Sequence, residues 1–258
     1  MKKIVLPVSF FIILSVFTGC GNHQVDQFYN NLNHIEEISF SRQGEDKISQ
    51  IEDFILPKKY YINVPFADQA PLRNWSDPYQ EACEEAVIIM AKAYVDGVEA
   101  DNLDKNYIDR EIIRMVDYQI DKWGGHYDLD VLMTQELLKD YYDIDSKIMT
   151  IENTDDIKKL LFEDNIIITP TFGRNLSNPH FTFPGPVYHM LIINGYDENN
   201  FITHDPGIWQ GRSFHYPYQN LTDSIADLPE SAKYKEGYIK KHHYLMQDTR
   251  KNILSISR

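Results

Sequence analysis

The stretch that decides the fold spans residues 80–86 and reads Gln80-Glu81-Ala82-Cys83-Glu84-Glu85-Ala86. It begins a pattern with the apolar spacing of a core-facing helix, formed by Cys83, Ala86, Val87, Met90, Ala93 and Tyr94. Asp77 is predicted as the N-cap of this helix, Pro78 as its first residue, and Gly97 as its C-terminal stop. The pattern therefore predicts a helix with Cys83 near its first turns and one face in the core.

Working outward from this helix, the chain reads as helices first and strands later. Three further helices are predicted at Asp104–Trp123, Asp130–Tyr142 and Thr154–Phe162. Strands are predicted at Tyr60–Phe66, Lys147–Ile151, Ile166–Thr169, Val187–Asn194, Phe201–Asp205, Phe214–Tyr218 and Gly237–Met246. This order predicts an α+β fold in which N-terminal helices pack on an antiparallel sheet.

Composition limits the classes of function. The 258 residues are 43% hydrophobic and 13% aromatic, which favours a packed globular domain over a disordered chain. The net charge of −14 repels phosphate backbones, and no stripe of Lys and Arg side chains offsets that charge. Nucleic acid is therefore not an expected partner.

The N-terminus has the pattern of a bacterial lipoprotein signal. Met1-Lys2-Lys3 precedes an apolar segment at residues 4–17, too short to span a bilayer, and Thr18-Gly19 leads to Cys20. The predicted organisation is a signal peptide at 1–19, a lipid-anchored polar tether at 20–59 and a single folded domain at 60–258. Lipid on Cys20, such as palmitate, would hold the protein on the extracytoplasmic face of the bacterial cell membrane. An ordinary secretory peptide is the alternative.

The second cysteine is a candidate nucleophile. If Cys20 carries lipid, Cys83 has no disulfide partner in the chain, so it is either a reactive thiol or a small buried apolar residue. A helix N-terminus favours the thiolate, whereas nearby carboxylates at Glu81, Glu84 and Glu85 oppose it. Neighbours on a helix project about 100° apart, so these carboxylates are expected to face solvent.

A hairpin pattern supplies a base and a carboxylate. His189 lies in a strongly apolar strand, and Asp205 ends the next one after a turn between Gly195 and Asn200. Antiparallel pairing around that turn puts Asp205 beside His189 to within one residue, close enough to bind one ring nitrogen. The other nitrogen would then serve the Cys83 thiol, while His204 is expected on the opposite face. These residues predict a Cys-His-Asp triad.

Several short segments occur together in one order along the chain. They are Val64-Pro65-Phe66, Asp68-Gln69-Ala70-Pro71, Asn74-Trp75, Cys83-Glu84-Glu85-Ala86, His189 before Gly195-Tyr196-Asp197, and Asp205-Pro206-Gly207. Over about Ile62 to Tyr218 this combination resembles the papain-like cysteine peptidases related to bacteriocin-leader processing (double-glycine) enzymes. The resemblance implies a papain-like fold, with Cys83 as nucleophile, His189 as base and Asp205 as orienter. It also implies that Gln69 donates to the oxyanion beside the backbone N–H of Cys83.

Two positions differ from the leader-processing enzymes. Those enzymes have glycine directly after the cysteine and glutamine a few residues before it, whereas here Glu84 follows and Gln69 lies further upstream. The chain therefore resembles a divergent lipoprotein branch that hydrolyses peptide bonds in a peptide or protein substrate through an acyl-enzyme. Transamidase or amidase chemistry on the same triad and a non-catalytic surface binding module are the alternatives. No cofactor or metal is predicted, although zinc on Cys83, His189 and Asp205 is chemically possible.

Overall fold

The computed structural model of the chain describes residues 56–258, and Leu56–Arg258 forms one compact unit. The predicted signal peptide, the lipid attachment residue Cys20 and the tether up to residue 55 lie outside the described residues. Residues 56–59, the end of the predicted tether, belong to no helix or strand. Within the described part, no helix is long and apolar enough to cross a membrane.

The described residues form six α-helices, and the first four follow the predicted order. They are α1 at Cys83–Val95, α2 at Lys105–Trp123, α3 at Val131–Tyr142, α4 at Thr154–Phe162, α5 at Tyr218–Ser224 and α6 at Tyr238–Lys241. Asp104 and Asp130 cap α2 and α3, because their carboxylates accept the N–H groups of Tyr107 and Met133 at 2.9 and 2.7 Å. Side-chain caps of this kind are readable in sequence, which explains why these bounds match the prediction closely.

The start of α1 differs from the prediction. A short 3-10 turn at Tyr79–Glu81 comes first, and the helix begins at Cys83 rather than at Pro78. The amide nitrogen of Gln69 donates to the carbonyl oxygens of Tyr79 and Gln80, at 3.0 and 3.3 Å. Those two carbonyls would otherwise be the acceptors for a helix running through Cys83. Because the helix starts later, Cys83 is its first residue.

An antiparallel sheet forms the second layer. Its strands are β1 at Tyr60–Tyr61, β2 at Lys147–Thr150, β3 at Ile166–Phe172, β4 at Tyr188–Tyr196, β5 at Asn200–His204, β6 at Phe214–Pro217 and β7 at Asn252–Ile256. The order is β2-β7-β3-β4-β5-β6, with β1 beside β4. Every residue of β3 and β4 is buried, and α1 packs against β4. Helices on an antiparallel sheet confirm the predicted α+β class.

The C-terminal segment differs from the prediction. The expected strand at Gly237–Met246 is instead the short helix α6 followed by a 3-10 turn at His243–Asp248. The last strand, β7, lies between β2 and β3, so it is an interior strand next to the edge of the sheet. Aromatic content alone suggested the wrong strand, because β propensity depends on which sheet neighbours a segment meets.

Candidate active site

His189 and Asp205 meet as predicted, although by a different register. Nε2 of His189 lies 2.7 Å from Oδ1 of Asp205, and both side chains are buried. Ile192 pairs with His204, and the register shifts between Ile193 and Gly195. Continuing this register would place Leu191, not His189, opposite Asp205. Since alternate residues of a strand project on one face, His189 still reaches the carboxylate.

Asp205 is held as an ionised carboxylate. Oδ1 accepts the N–H of Gly207 at 3.1 Å, and Oδ2 accepts the hydroxyl of Tyr216 at 2.6 Å and the amide of Asn178 at 3.4 Å. Burial alone would raise the pKa of Asp205, but the charge and hydrogen bond of His189 and the Tyr216 and Gly207 donors lower it below its ordinary value. An ionised Asp205 accepts the Nε2–H of His189, which leaves Nδ1 as the basic nitrogen.

His204 has partners of its own. Its Nε2 lies 2.7 Å from the carbonyl oxygen of Val64, and its Nδ1 accepts the N–H of Ser213 at 3.1 Å. Burial lowers the pKa of His204 below its ordinary value. Both ring nitrogens are therefore occupied by backbone groups, and His204 acts as a structural residue.

Cys83 lies at the start of α1 with only 6% of its surface exposed. Its thiol donates to Oε2 of Glu84 at 3.0 Å, and the sulfur accepts the N–H of Met190 at 3.4 Å. Burial, followed by the charge and hydrogen bond of Glu84, raises the pKa of Cys83 well above its ordinary value. The thiol is therefore protonated at neutral pH.

The expectation that the carboxylates after Cys83 face solvent is wrong. Glu84 and Glu85 are 1% and 0% exposed. Oε1 of Glu84 accepts the N–H of Leu129 at 3.2 Å, while Glu85 binds the Gln119 amide and lies 3.2 Å from Nε2 of His126. The loop after α2 covers this side of α1, and the two carboxylates satisfy polar groups of that loop and of α2.

Gln69 lies in the predicted place beside the helix start, but its amide nitrogen is occupied. Nε2 donates to the Tyr79 and Gln80 carbonyls, whereas Oε1 is buried without a partner among the described residues. Its backbone N–H donates to Pro206 at 3.1 Å, which links this loop to the segment after Asp205. The oxyanion role stays a prediction, and it requires the amide to release one of these carbonyls.

Cys83, His189 and Gln69 line one cleft of about 600 Å³. Its walls include four large aromatic residues, Trp75, Phe181, Tyr188 and Trp209. The ring of Phe181 meets that of His189 edge to face at 5.4 Å. The cleft brings the predicted nucleophile and base to one surface.

Sequence reasoning did not assign three residues that support His189 and Asp205, namely Asn178, Gly207 and Tyr216. A Cβ added to Gly207 would lie 2.7 Å from Cε1 of His189, so only glycine fits there without a shift. Asp205-Pro206-Gly207 was the one available signal. No group of three or more His, Cys, Asp or Glu side chains between residues 56 and 258 is placed to hold a metal ion.

Two comparisons with known proteins found matches. The model of the Peptidase_C39 like family matches residues 61–226. Among solved structures, a protein of Bacillus anthracis assigned as a C39-like peptidase matches with 15% identity and a TM-score of 0.42, covering 78% of this chain and 99% of that chain. No curated protein matches the chain.

Proposed function

We propose that this chain, which belongs to the Peptidase_C39 like family, is a cysteine peptidase. Its nucleophile is Cys83, its base is His189 and its orienting carboxylate is Asp205. The observation that carries this proposal is the 2.7 Å contact between Nε2 of His189 and Asp205, on the same cleft as Cys83. The contact leaves Nδ1 of His189 as the basic nitrogen of the ring. His189 also lines the cleft beside Cys83, a position that favours a catalytic role over a purely structural one.

The reaction starts from a neutral thiol. Nδ1 of His189 takes the proton of Cys83 as the sulfur attacks the carbonyl carbon of a peptide bond. The protonated ring then gives that proton to the leaving amine as the C–N bond breaks, which leaves an acyl group on sulfur. Water, deprotonated by His189, releases the acid and restores the thiol. Asp205 stabilises the imidazolium in both steps and fixes the ring orientation.

The developing oxyanion needs donors at the helix start. The backbone N–H of Cys83 is one candidate, because the N-terminus of α1 carries partial positive charge. Nε2 of Gln69 is the other, after rotation away from Tyr79 or Gln80. Both groups belong to the wall of the cleft that carries the nucleophile.

A non-catalytic binding module is the second candidate. The observation that favours it is the environment of Cys83, a buried thiol hydrogen-bonded to a carboxylate and with a raised pKa. In that case the cleft would retain a peptide without cleaving it, and Cys83 would be a packing residue.

The lipid anchor belongs to the same proposal. It is supported by the basic start, the short apolar segment and the small residues before Cys20. An anchored enzyme would act on peptides or proteins at the extracytoplasmic face of the bacterial membrane.

Cleavage of a defined peptide mixture, followed by mass spectrometry, tests the function. We expect wild type to produce new termini and Cys83→Ala to produce none, with Cys83→Ser retaining the fold but little activity. Asp205→Asn should lower cleavage by at least about a hundredfold, because the histidine loses its fixed tautomer. Equal cleavage by wild type and Cys83→Ala would exclude Cys83 as nucleophile. Peptide retention without cleavage by both proteins would favour the binding module, and transfer to an added amine would favour a transamidase.

A further inference from the structure

The carboxyl group of Glu84 lies within the catalytic apparatus but has no part in the triad. Oε2 is 3.0 Å from Sγ of Cys83, and Oε1 is 3.2 Å from the backbone nitrogen of Leu129. The side chain is 1% exposed, so bulk water does not compete for either oxygen. The loop contact fixes the carboxyl group, and the fixed group in turn fixes the direction of the S–H bond.

No cation among the described residues contacts Glu84. The basic groups nearby are engaged elsewhere, since His126 binds Glu85 and Lys240 binds Glu81. Two further groups face this region: Asp128 in the loop after α2 acts electrostatically on both Cys83 and Glu84, and Tyr188 on β4 donates its hydroxyl to Leu129 at 2.7 Å. Among the described residues, the thiol of Cys83 is therefore the hydrogen-bond donor to Oε2 of Glu84.

We propose that Glu84 is a positioning residue that holds the proton on Cys83 in the resting enzyme. The proposal rests on the function above, in which Cys83 is the nucleophile and His189 removes its proton. If the thiol ionised while Glu84 was charged, two anions would lie in contact inside the protein. The S–H···O hydrogen bond removes that repulsion, and the proton leaves only when His189 accepts it during attack.

The same surroundings also change the pKa of Glu84 itself. Burial, then Asp128 and Glu85, raises the pKa of Glu84 well above its ordinary value, although the Cys83 contact opposes that change. A resting neutral thiol is also less open to alkylation and oxidation than a thiolate.

The test is the pH dependence of Cys83 alkylation by iodoacetamide, followed by mass spectrometry of the Cys83 peptide. Wild type, Glu84→Gln and Glu85→Gln are compared from pH 5 to 10. Glutamine keeps the shape of Glu84 and can donate to the sulfur. Glu85→Gln is the matched control. It also removes a buried carboxylate, but that carboxylate contacts Gln119 and His126 and not the thiol of Cys83.

We expect the wild-type midpoint above the value of a free cysteine thiol, near 8.5. Glu84→Gln should lower that midpoint by about one pH unit and raise the rate at pH 7 about threefold, since a more acidic thiolate is also less nucleophilic. Glu85→Gln should move the midpoint by only a few tenths of a unit. An unchanged or raised midpoint in Glu84→Gln overturns the proposal, as does an equal fall in Glu85→Gln.

Two further results separate this proposal from the proposed function. If Glu84→Gln does not fold, a wild-type midpoint below that of free cysteine still overturns the role of Glu84. The alkylation midpoints are measured without a peptide substrate, so absence of peptide cleavage would refute the peptidase while leaving the Cys83–Glu84 result intact. Cleavage abolished by Cys83→Ala, together with an unshifted Glu84→Gln midpoint, would refute only the inference about Glu84.

Discussion

Nε2 of His189 binds the carboxylate of Asp205 at 2.7 Å, although His189 pairs with Thr171 on β3 and Asp205 lies beyond the end of β5. The contact therefore does not come from one cross-strand pair. It depends on the tight segment after β5, where the N–H of Gly207 donates back to Asp205 at 3.1 Å. This segment turns the carboxylate toward the ring, and it makes the geometry sensitive to residues that touch neither cysteine nor substrate.

Tyr216→Phe tests the support of Asp205. The hydroxyl of Tyr216 donates to Oδ2 of Asp205 at 2.6 Å and accepts from Asn178 at 2.6 Å, all in the core. Its loss should lower the free energy of unfolding by about 1–3 kcal/mol and kcat/KM by roughly fivefold, measured by denaturation and peptide cleavage. Tyr196→Phe is the control, because the buried Tyr196 hydroxyl has no hydrogen-bond partner in the described structure. Equal losses in both variants would contradict this role.

Gly207→Ala tests the close approach of the backbone to His189. The added Cβ would meet Cε1 of His189 at 2.7 Å and Oε1 of Gln69 at 3.2 Å. We expect kcat/KM to fall at least tenfold and the unfolding free energy to fall by about 1–3 kcal/mol. Gly97→Ala, at φ +69° with no neighbouring atom, should cost about 1–2 kcal/mol of stability while kcat/KM stays unchanged. Normal activity in Gly207→Ala would show that the ring moves freely.

His126 should make stability depend on pH. Burial alone would lower its pKa, but the charge and hydrogen bond of Glu85 raise it to about 9. A raised folded-state pKa means that this stabilisation is complete below about pH 6.5 and is lost as pH rises through 9. The unfolding free energy of wild type relative to His126→Gln should therefore fall by roughly 3 kcal/mol over that window. Replacing the exposed His243 should leave the curve unchanged, and a wild-type advantage that grew with pH would contradict the pairing.

Cys20→Ala tests the anchor. Lipid on Cys20 is the proposed attachment, and the strongly acidic chain would be repelled by anionic headgroups. The variant should therefore move to the soluble fraction and keep peptide-cleaving activity, as measured by cell fractionation and assay. A Cys20→Ala protein that stays in the membrane fraction at high salt would indicate an uncleaved leader instead.

Sequence patterns between residues close in the chain predicted the bounds of several helices. Asp104, Asp130 and Asn153 each begin a helix with a side-chain cap, and the predicted bounds of those helices match the structure within one residue. The hairpin was predicted in place, but its register was wrong because β4 continues to Tyr196, which pairs with Phe201, so the turn is centred one residue later than predicted.

The sequence by itself determined the order of helices and strands from β1 to β6, the α+β class and the candidate residues Cys83, His189 and Asp205. Only the tertiary structure decided their surroundings: the burial of Glu84, its hydrogen bond to the thiol, and the donors that hold Asp205. The physical reason is the range of the forces involved. Caps and periodicity act between residues close in the chain, whereas burial and pKa depend on groups that folding brings together from distant positions.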